Sequence, residues 1–177
     1  MRARIAAFIV ALAGTTAWAQ WIDPAGKALP DTASRKTADG MGAMLVLTSN
    51  YNDFIKEWTG SDEKHTPQLK PVAELKRGDD ATILVFFSGC AKPGERCVLT
   101  ADFKVIAPNG SVYGEFKDRP AFDDAIDKAG TVMLSHAMTQ MRIEPNDALG
   151  EYKVLVTMHR PSTKTSIELE QSVRVIQ

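Results

Sequence analysis

Residues 81–107 read ATILVFFSGCAKPGERCVLTADFKVIA, two strand-like runs joined by a short loop with Cys90 and Cys97 at its ends. In the first run Ile83, Val85 and Phe87 alternate with Leu84 and Phe86, so both faces are apolar, the pattern of a strand buried between two layers. The second run sets Leu99, Ala101, Phe103 and Val105 against Thr100, Asp102 and Lys104, which predicts one packed face and one solvated face. Pro93 and Gly94 give the loop its turn chemistry, proline by presetting φ and glycine by tolerating φ > 0. The expected arrangement is a hairpin pinned by a Cys90–Cys97 disulfide, since cysteines facing across a ladder fall in the roughly 4.4–6.8 Å Cα window that bond needs. A redox pair would favour CxxC spacing, and a zinc site needs third and fourth ligands nearby; the sequence has neither.

On the N-terminal side, residues 41–48 (MGAMLVLT) read as a strand. A short helix near residues 51–58 should follow, with Ser49 and Asn50 offering an N-cap and Phe54 and Trp58 sharing a face. That aromatic stripe is expected to cap one end of a core. Residues 71–75 read as an edge strand, because Pro71 cannot donate to a ladder. On the C-terminal side an Asn109-Gly110 turn introduces a strand at 112–116, and residues 118–128 read as a one-turn helix or irregular crossover. More strand material falls at 131–134, 137–143, 152–158 and 166–176. Short strands with turns at roughly 8–12-residue spacing predict an all-β, two-layer antiparallel sandwich of about seven strands, one domain over residues 41–177.

Residues 1–19 carry a basic start (Arg2, Arg4), an apolar run from Ile5 and an Ala17-Trp18-Ala19 cleavage signal, which together read as a secretory signal peptide. The apolar run falls short of the ~20 residues that span a bilayer, so no transmembrane anchor is expected after cleavage. Export to an oxidising compartment agrees with a disulfide, and the expected location is the periplasm or the medium. Without Arg2 and Arg4 the chain keeps 19 basic residues against 22 acidic ones, a net charge of −3. That balance, with no basic stripe, lacks the footprint of a nucleic-acid binder. Residues 20–40 are rich in Pro, Gly, Ala and polar residues without periodicity and read as a flexible arm.

Catalytic motifs are missing from the sequence: Ser88-Gly89 does not form G-x-S-x-G, and there is no P-loop or dinucleotide fingerprint. His65, His136 and His159 lie in separate segments without zinc spacing, and Asp118, Asp123, Asp124 and Asp127 lack the order of a calcium loop. One softer set remains. Met133, His136, Met138, Met141 and His159, with Met158 beside them, could meet on neighbouring strands, and thioether and imidazole ligands suit copper(I). Methionine is equally a common core filler.

Asp147-Ala148-Leu149-Gly150-Glu151-Tyr152, followed by an alternating strand, resembles the D-x-x-G-x-Y entry to the penultimate strand of immunoglobulin-like sandwiches. The resemblance implies a tyrosine corner built on Asp147, Gly150 and Tyr152, with the Tyr152 hydroxyl bonded to upstream backbone. Residue 154, where antibody domains place a cysteine, is Val154. The chain is also similar to small exported bacterial proteins of unassigned function. The expectation is a non-enzymatic binding or accessory module without a cofactor, partnered by another exported protein or an envelope component. A copper-handling protein is the alternative.

Overall fold

The computed structural model describes Trp21, residues 27–60 and residues 67–177, so the expected signal peptide lies outside the described residues. In chain order the elements are β1 (Arg35–Ala38), β2 (Met41–Thr48), α1 (Tyr51–Gly60), β3 (Glu74–Lys76), β4 (Asp80–Ser88), β5 (Arg96–Ile106), β6 (Val112–Ala125), β7 (Met133–Leu134), β8 (Thr139–Arg142), β9 (Gly150–Arg160) and β10 (Thr165–Ile176). They form an all-β sandwich of two sheets. One has the order β1-β2-β4-β7, with β8 also on β4; the other has the order β3-β10-β9-β5-β6. Ten strands are described rather than about seven: the short pieces expected at 71–75 and 131–134 form strands of their own, β3 and β7, and β1 adds a strand inside the expected arm.

The stretch at 81–107 is not a hairpin. β4 pairs with β2 on one side and with β7 and β8 on the other, whereas β5 pairs with β6 and β9 in the opposite sheet. The two runs differ in pattern for this reason. β4 is buried on both faces from Ile83 to Phe87 because the core covers one face and α1 the other. β5 alternates because its sheet has one solvated face. The connecting loop is therefore an arch between sheets, and the Cys90–Cys97 disulfide, with Cα atoms 5.7 Å apart, ties the two feet of that arch.

The core lies between the sheets. Leu45, Ile83 and Phe87 from the first sheet meet Leu99, Phe103, Val156 and Leu169 from the second, all 2% exposed or less. Each such side chain contributes roughly 1.5–3 kcal/mol on leaving water. A second, smaller cluster sits on the outer face of the first sheet, where Phe54 packs on Leu84 and Phe86 with Met44, Val46, Trp58 and Trp21 around them. Phe54, Trp58 and Phe86 form a triangle of rings with centroids 5.5–5.9 Å apart. The helix thus covers a sheet face and not one end of the sandwich. Asn50 does not cap it by its side chain. Its amide oxygen accepts the Lys70 N–H and its amide nitrogen donates to the Gln68 carbonyl, pinning the chain that returns from α1.

Two further expectations change. The arm expected at 20–40 ends in β1, which pairs with β2 through an Asp39-Gly40 turn with φ of 47° and 73°. Positive φ at both central residues is the signature of a tight two-residue hairpin turn, and Asp-Gly is one of its preferred sequences. Residues 118–125, expected as part of a one-turn helix or irregular crossover, continue β6 through register shifts against β5. Asp118 takes φ 52° there, and its N–H is held by the Asp102 carboxylate at 2.8 Å.

Candidate functional site

Along one side of the sandwich β6 ends the second sheet and β8 lies at the margin of the first. Two ties cross between them. The Tyr113 hydroxyl donates to the Arg142 carbonyl at 2.6 Å and also meets the Asp147 carboxylate. Further along, the His136 N–H and the Ser135 hydroxyl both reach the Ala121 carbonyl, at 2.7 and 3.3 Å. Between these ties a cleft of about 320 Å³ opens toward the core. Buried Ile83, Phe103, Val105 and Met141 form its floor; β6 contributes Tyr113, Gly114 and Phe116, and β8 contributes Thr139, Gln140 and Arg142. Register shifts in the β5–β6 ladder fall on both sides of residues 114–116. Bulges of this kind re-aim side chains and recur beside binding sites.

One end of the cleft is braced by the D-x-x-G-x-Y segment. Tyr152 is 1% exposed and its hydroxyl donates to the Ala148 carbonyl at 3.1 Å. Gly150 has φ 129°, and a Cβ there would stand 3.1 Å from Pro108, so glycine is required by both conformation and space. The Asp147 carboxylate accepts the Glu144 N–H at 2.7 Å, while the Arg77 guanidinium donates twice to the Asp147 carbonyl. The rings of Tyr113 and Tyr152 meet edge to face at 5.3 Å. Burial, then the neighbouring Asp147 carboxylate, pushes the Tyr113 phenol well above its ordinary range, and the same two causes raise Tyr152.

The methionine and histidine set does not assemble. Met141 and Met158 are buried in the core, and Met133 packs against that core. Met138 packs on the outer cluster beneath α1. His136 is exposed with its ring 5.2 Å from Phe122, and His159 stands on the solvated face of the other sheet. Core methionines fill space here, as their place in the alternating strands requires. Among the described residues no group of three or more His, Cys, Asp or Glu is placed to hold a metal ion.

On that solvated face three side chains from adjacent strands form a row. His159 Nδ1 lies 2.9 Å from the Ser166 hydroxyl and its Nε2 lies 3.3 Å from Asp102. The Asp118 N–H lowers the Asp102 pKa most, burial opposes it, and His159 adds to the lowering. A serine, a histidine and an aspartate in contact invite comparison with a nucleophilic triad. Ser166, however, lies directly opposite His159 in an unbroken β9–β10 ladder. Backbone N–H groups in such a ladder point along the sheet toward the neighbouring strand, so they are not aimed at an oxyanion above its face. The row orients an imidazole and links three strands.

Two features escape the sequence reading. Gly114 sits in mid-strand opposite Val105 and leaves the cleft its width, and a glycine inside a strand is the signal that could have marked it. Arg160, 7% exposed, donates to the carbonyls of Cys90 and Asp39 and to the hydroxyls of Thr163 and Thr165, joining the disulfide arch, the β1–β2 turn and the β9–β10 turn.

No family model matches the chain, and no curated protein matches it. Among solved structures, a family 123 glycoside hydrolase from Clostridium perfringens is similar over 76% of this chain and 27% of its own, at 12% identity and a TM-score of 0.43. The C-terminal domain of wzt is similar over 81% of this chain and 77% of its own, at 10% identity and a TM-score of 0.41. An immunoglobulin-like protein from Pseudomonas aeruginosa is similar over 64% and 86%, at 17% identity and a TM-score of 0.32. At these values the likeness concerns the β-sandwich architecture alone.

Proposed function

We propose that this chain is a non-enzymatic binding or accessory module of the bacterial periplasm or exterior, an immunoglobulin-like sandwich that works through the open side between β6 and β8. The observation that carries the reading is the cleft itself, apolar at the floor and framed by inter-sheet hydrogen bonds at Tyr113 and Ala121. Pockets of this kind, about 300 Å³ and upward with a few polar groups at the rim, are the usual form of a ligand site. The Cys90–Cys97 disulfide supports an oxidising compartment, and no helix among the described residues is long and apolar enough to cross a membrane. The partner on this reading is another exported protein or an envelope component.

The test is direct. The chain with its first nineteen residues, expressed in a Gram-negative host, is expected in the osmotic-shock fraction, and native mass spectrometry of the isolated protein should find a non-covalent adduct. The serine, histidine and aspartate row supplies the rival outcome: turnover of p-nitrophenyl esters that disappears in both Ser166→Ala and His159→Ala would replace the module with a hydrolase.

A further inference from the structure

We infer that the cleft between β6 and β8 takes an apolar chain or ring group carrying one hydrogen-bonding end, an inference that rests on the binding-module reading. Size sets the first limit. At about 320 Å³ the cleft is twice the roughly 150 Å³ of an engineered apolar cavity that admits benzene. It therefore suits a medium-length acyl tail or a two-ring system rather than a sugar chain or a protein domain. Chemistry sets the second limit. A water held in a cavity needs two to four polar partners, and Ile83, Phe103 and Val105 at the floor offer side chains of hydrocarbon alone. Water there is poorly held, and an apolar group gains by displacing it.

The walls point the same way. Gly114 lines the cleft, its register partner Val105 faces the core, and a Cβ placed on Gly114 would meet nothing within 4 Å. The space a side chain would fill has been left open. Phe116, on the same face of β6 and opposite buried Phe103 in the ladder, remains 50% exposed at the lip, so part of an aromatic ring is left free to meet a ligand. On the opposite wall Thr139 pairs with inward-facing Ile83 and so faces the gap, placing a hydroxyl at the rim. Gln140 is engaged with Asp80 at 2.7 Å, and Arg142 lies 3.8 Å from Glu144, which balances the charge at that edge. The rim thus offers one uncharged donor and acceptor to the ligand's polar end.

Gly114→Leu is the decisive variant. Gly114 is not among the glycines with positive φ, so leucine fits the backbone while its side chain occupies the cleft. With phenylnaphthylamine as the fluorescent probe and decanoate as competitor, the parent should bind one probe saturably and release it to decanoate. Gly114→Leu should weaken both by about sixtyfold, at roughly fourfold for each of about three methylenes displaced, with a melting temperature equal to or above the parent's. Thr139→Val should weaken decanoate and leave the probe unchanged. Displacement by phosphatidylethanolamine vesicles in place of decanoate would assign the same apolar group to a lipid tail. Equal probe affinity in the parent and Gly114→Leu overturns the inference, because binding would then lie elsewhere. Absence of probe binding to the parent also overturns it, while an adduct in native mass spectrometry would keep the broader module reading standing.

Discussion

Replacing Tyr113 with phenylalanine tests whether the tie at the mouth of the cleft holds the two sheets together. The variant keeps the ring against Tyr152 and removes one hydroxyl, which meets the Arg142 carbonyl at 2.6 Å and the Asp147 carboxylate. Both acceptors lie near the surface, so water replaces part of what they lose, and the cost should be about 1–2 kcal/mol rather than the full penalty of a sealed site. For a domain of this size that lowers the melting temperature by about 3–6 °C. Alkaline pH gives a second reading. The folded pKa of Tyr113 is raised above the ordinary value of about 10, so its contribution is complete below pH 10 and is lost as pH rises through the folded value. Tyr152 acts with the same sign. The parent should therefore lose urea midpoint above about pH 10 faster than Tyr113→Phe does. The assay is urea unfolding followed by tryptophan fluorescence at pH 8 and above 10. An unchanged midpoint at pH 8, or equal alkaline slopes, would refute the role given to this hydroxyl.

Replacing Cys90 and Cys97 together by alanine should cost about 2.5 kcal/mol, the loop-closure value for a separation of seven, and leave the fold intact in circular dichroism. Thiol titration of the unreduced protein in denaturant should find no free thiol. Arg160→Met should cost about 2 kcal/mol or more in urea, because it leaves the buried Cys90 carbonyl without its donor, while water can reach the Asp39 carbonyl at its exposed turn; a loss under about 1 kcal/mol would make the network dispensable. The lowered pKa of Asp102 means its contribution is present above about pH 4 and is lost as pH falls through the folded value. Asp102→Asn should flatten the urea midpoint between about pH 4 and pH 2, and a slope equal to the parent's would show that this carboxylate carries none of the acid sensitivity.

Much of the fold was legible because alternation survives folding. Leu99 to Val105 and Ile167 to Val175 each put the expected residues inward, since a sheet with one wet face imposes a period of two. The pairing of those strands was not legible. Residues 81–88 and 96–106 sit close in sequence with turn residues between them, so local chemistry argues for a hairpin, yet their patterns require different environments. A strand apolar on both faces needs a cover on each side; a strand apolar on one face needs solvent. That mismatch separates β4 from β5 into different sheets, and the short loop with its cysteines serves an arch as readily as a hairpin. The Asp39-Gly40 turn shows the converse case: its signal stood in the sequence, but the flanking Arg35 to Ala38 is half-buried edge with no alternation to draw notice.

The site was least visible where it depends on what is missing. Tyr152 announces itself through spacing to Gly150 and Asp147, and its geometry follows from a local turn. A cleft between edge strands has no such spacing, because β6 and β8 come together only after the sheets have stacked, and the residues that define the gap are a glycine, a threonine and the margins of the core. Phe116 would pass in any sequence as a packed aromatic; only its 50% exposure beside an unfilled wall distinguishes it. The methionine and histidine set fails for the complementary reason, since residues near one another in sequence alternate between faces along a strand. Met138 and Met141, three apart, land on opposite sides of the first sheet. Chemical type and proximity in the chain are therefore weak guides in a β-sandwich, whereas a side chain's parity along its strand decides whether it reaches the core, the solvent or the opening between the sheets.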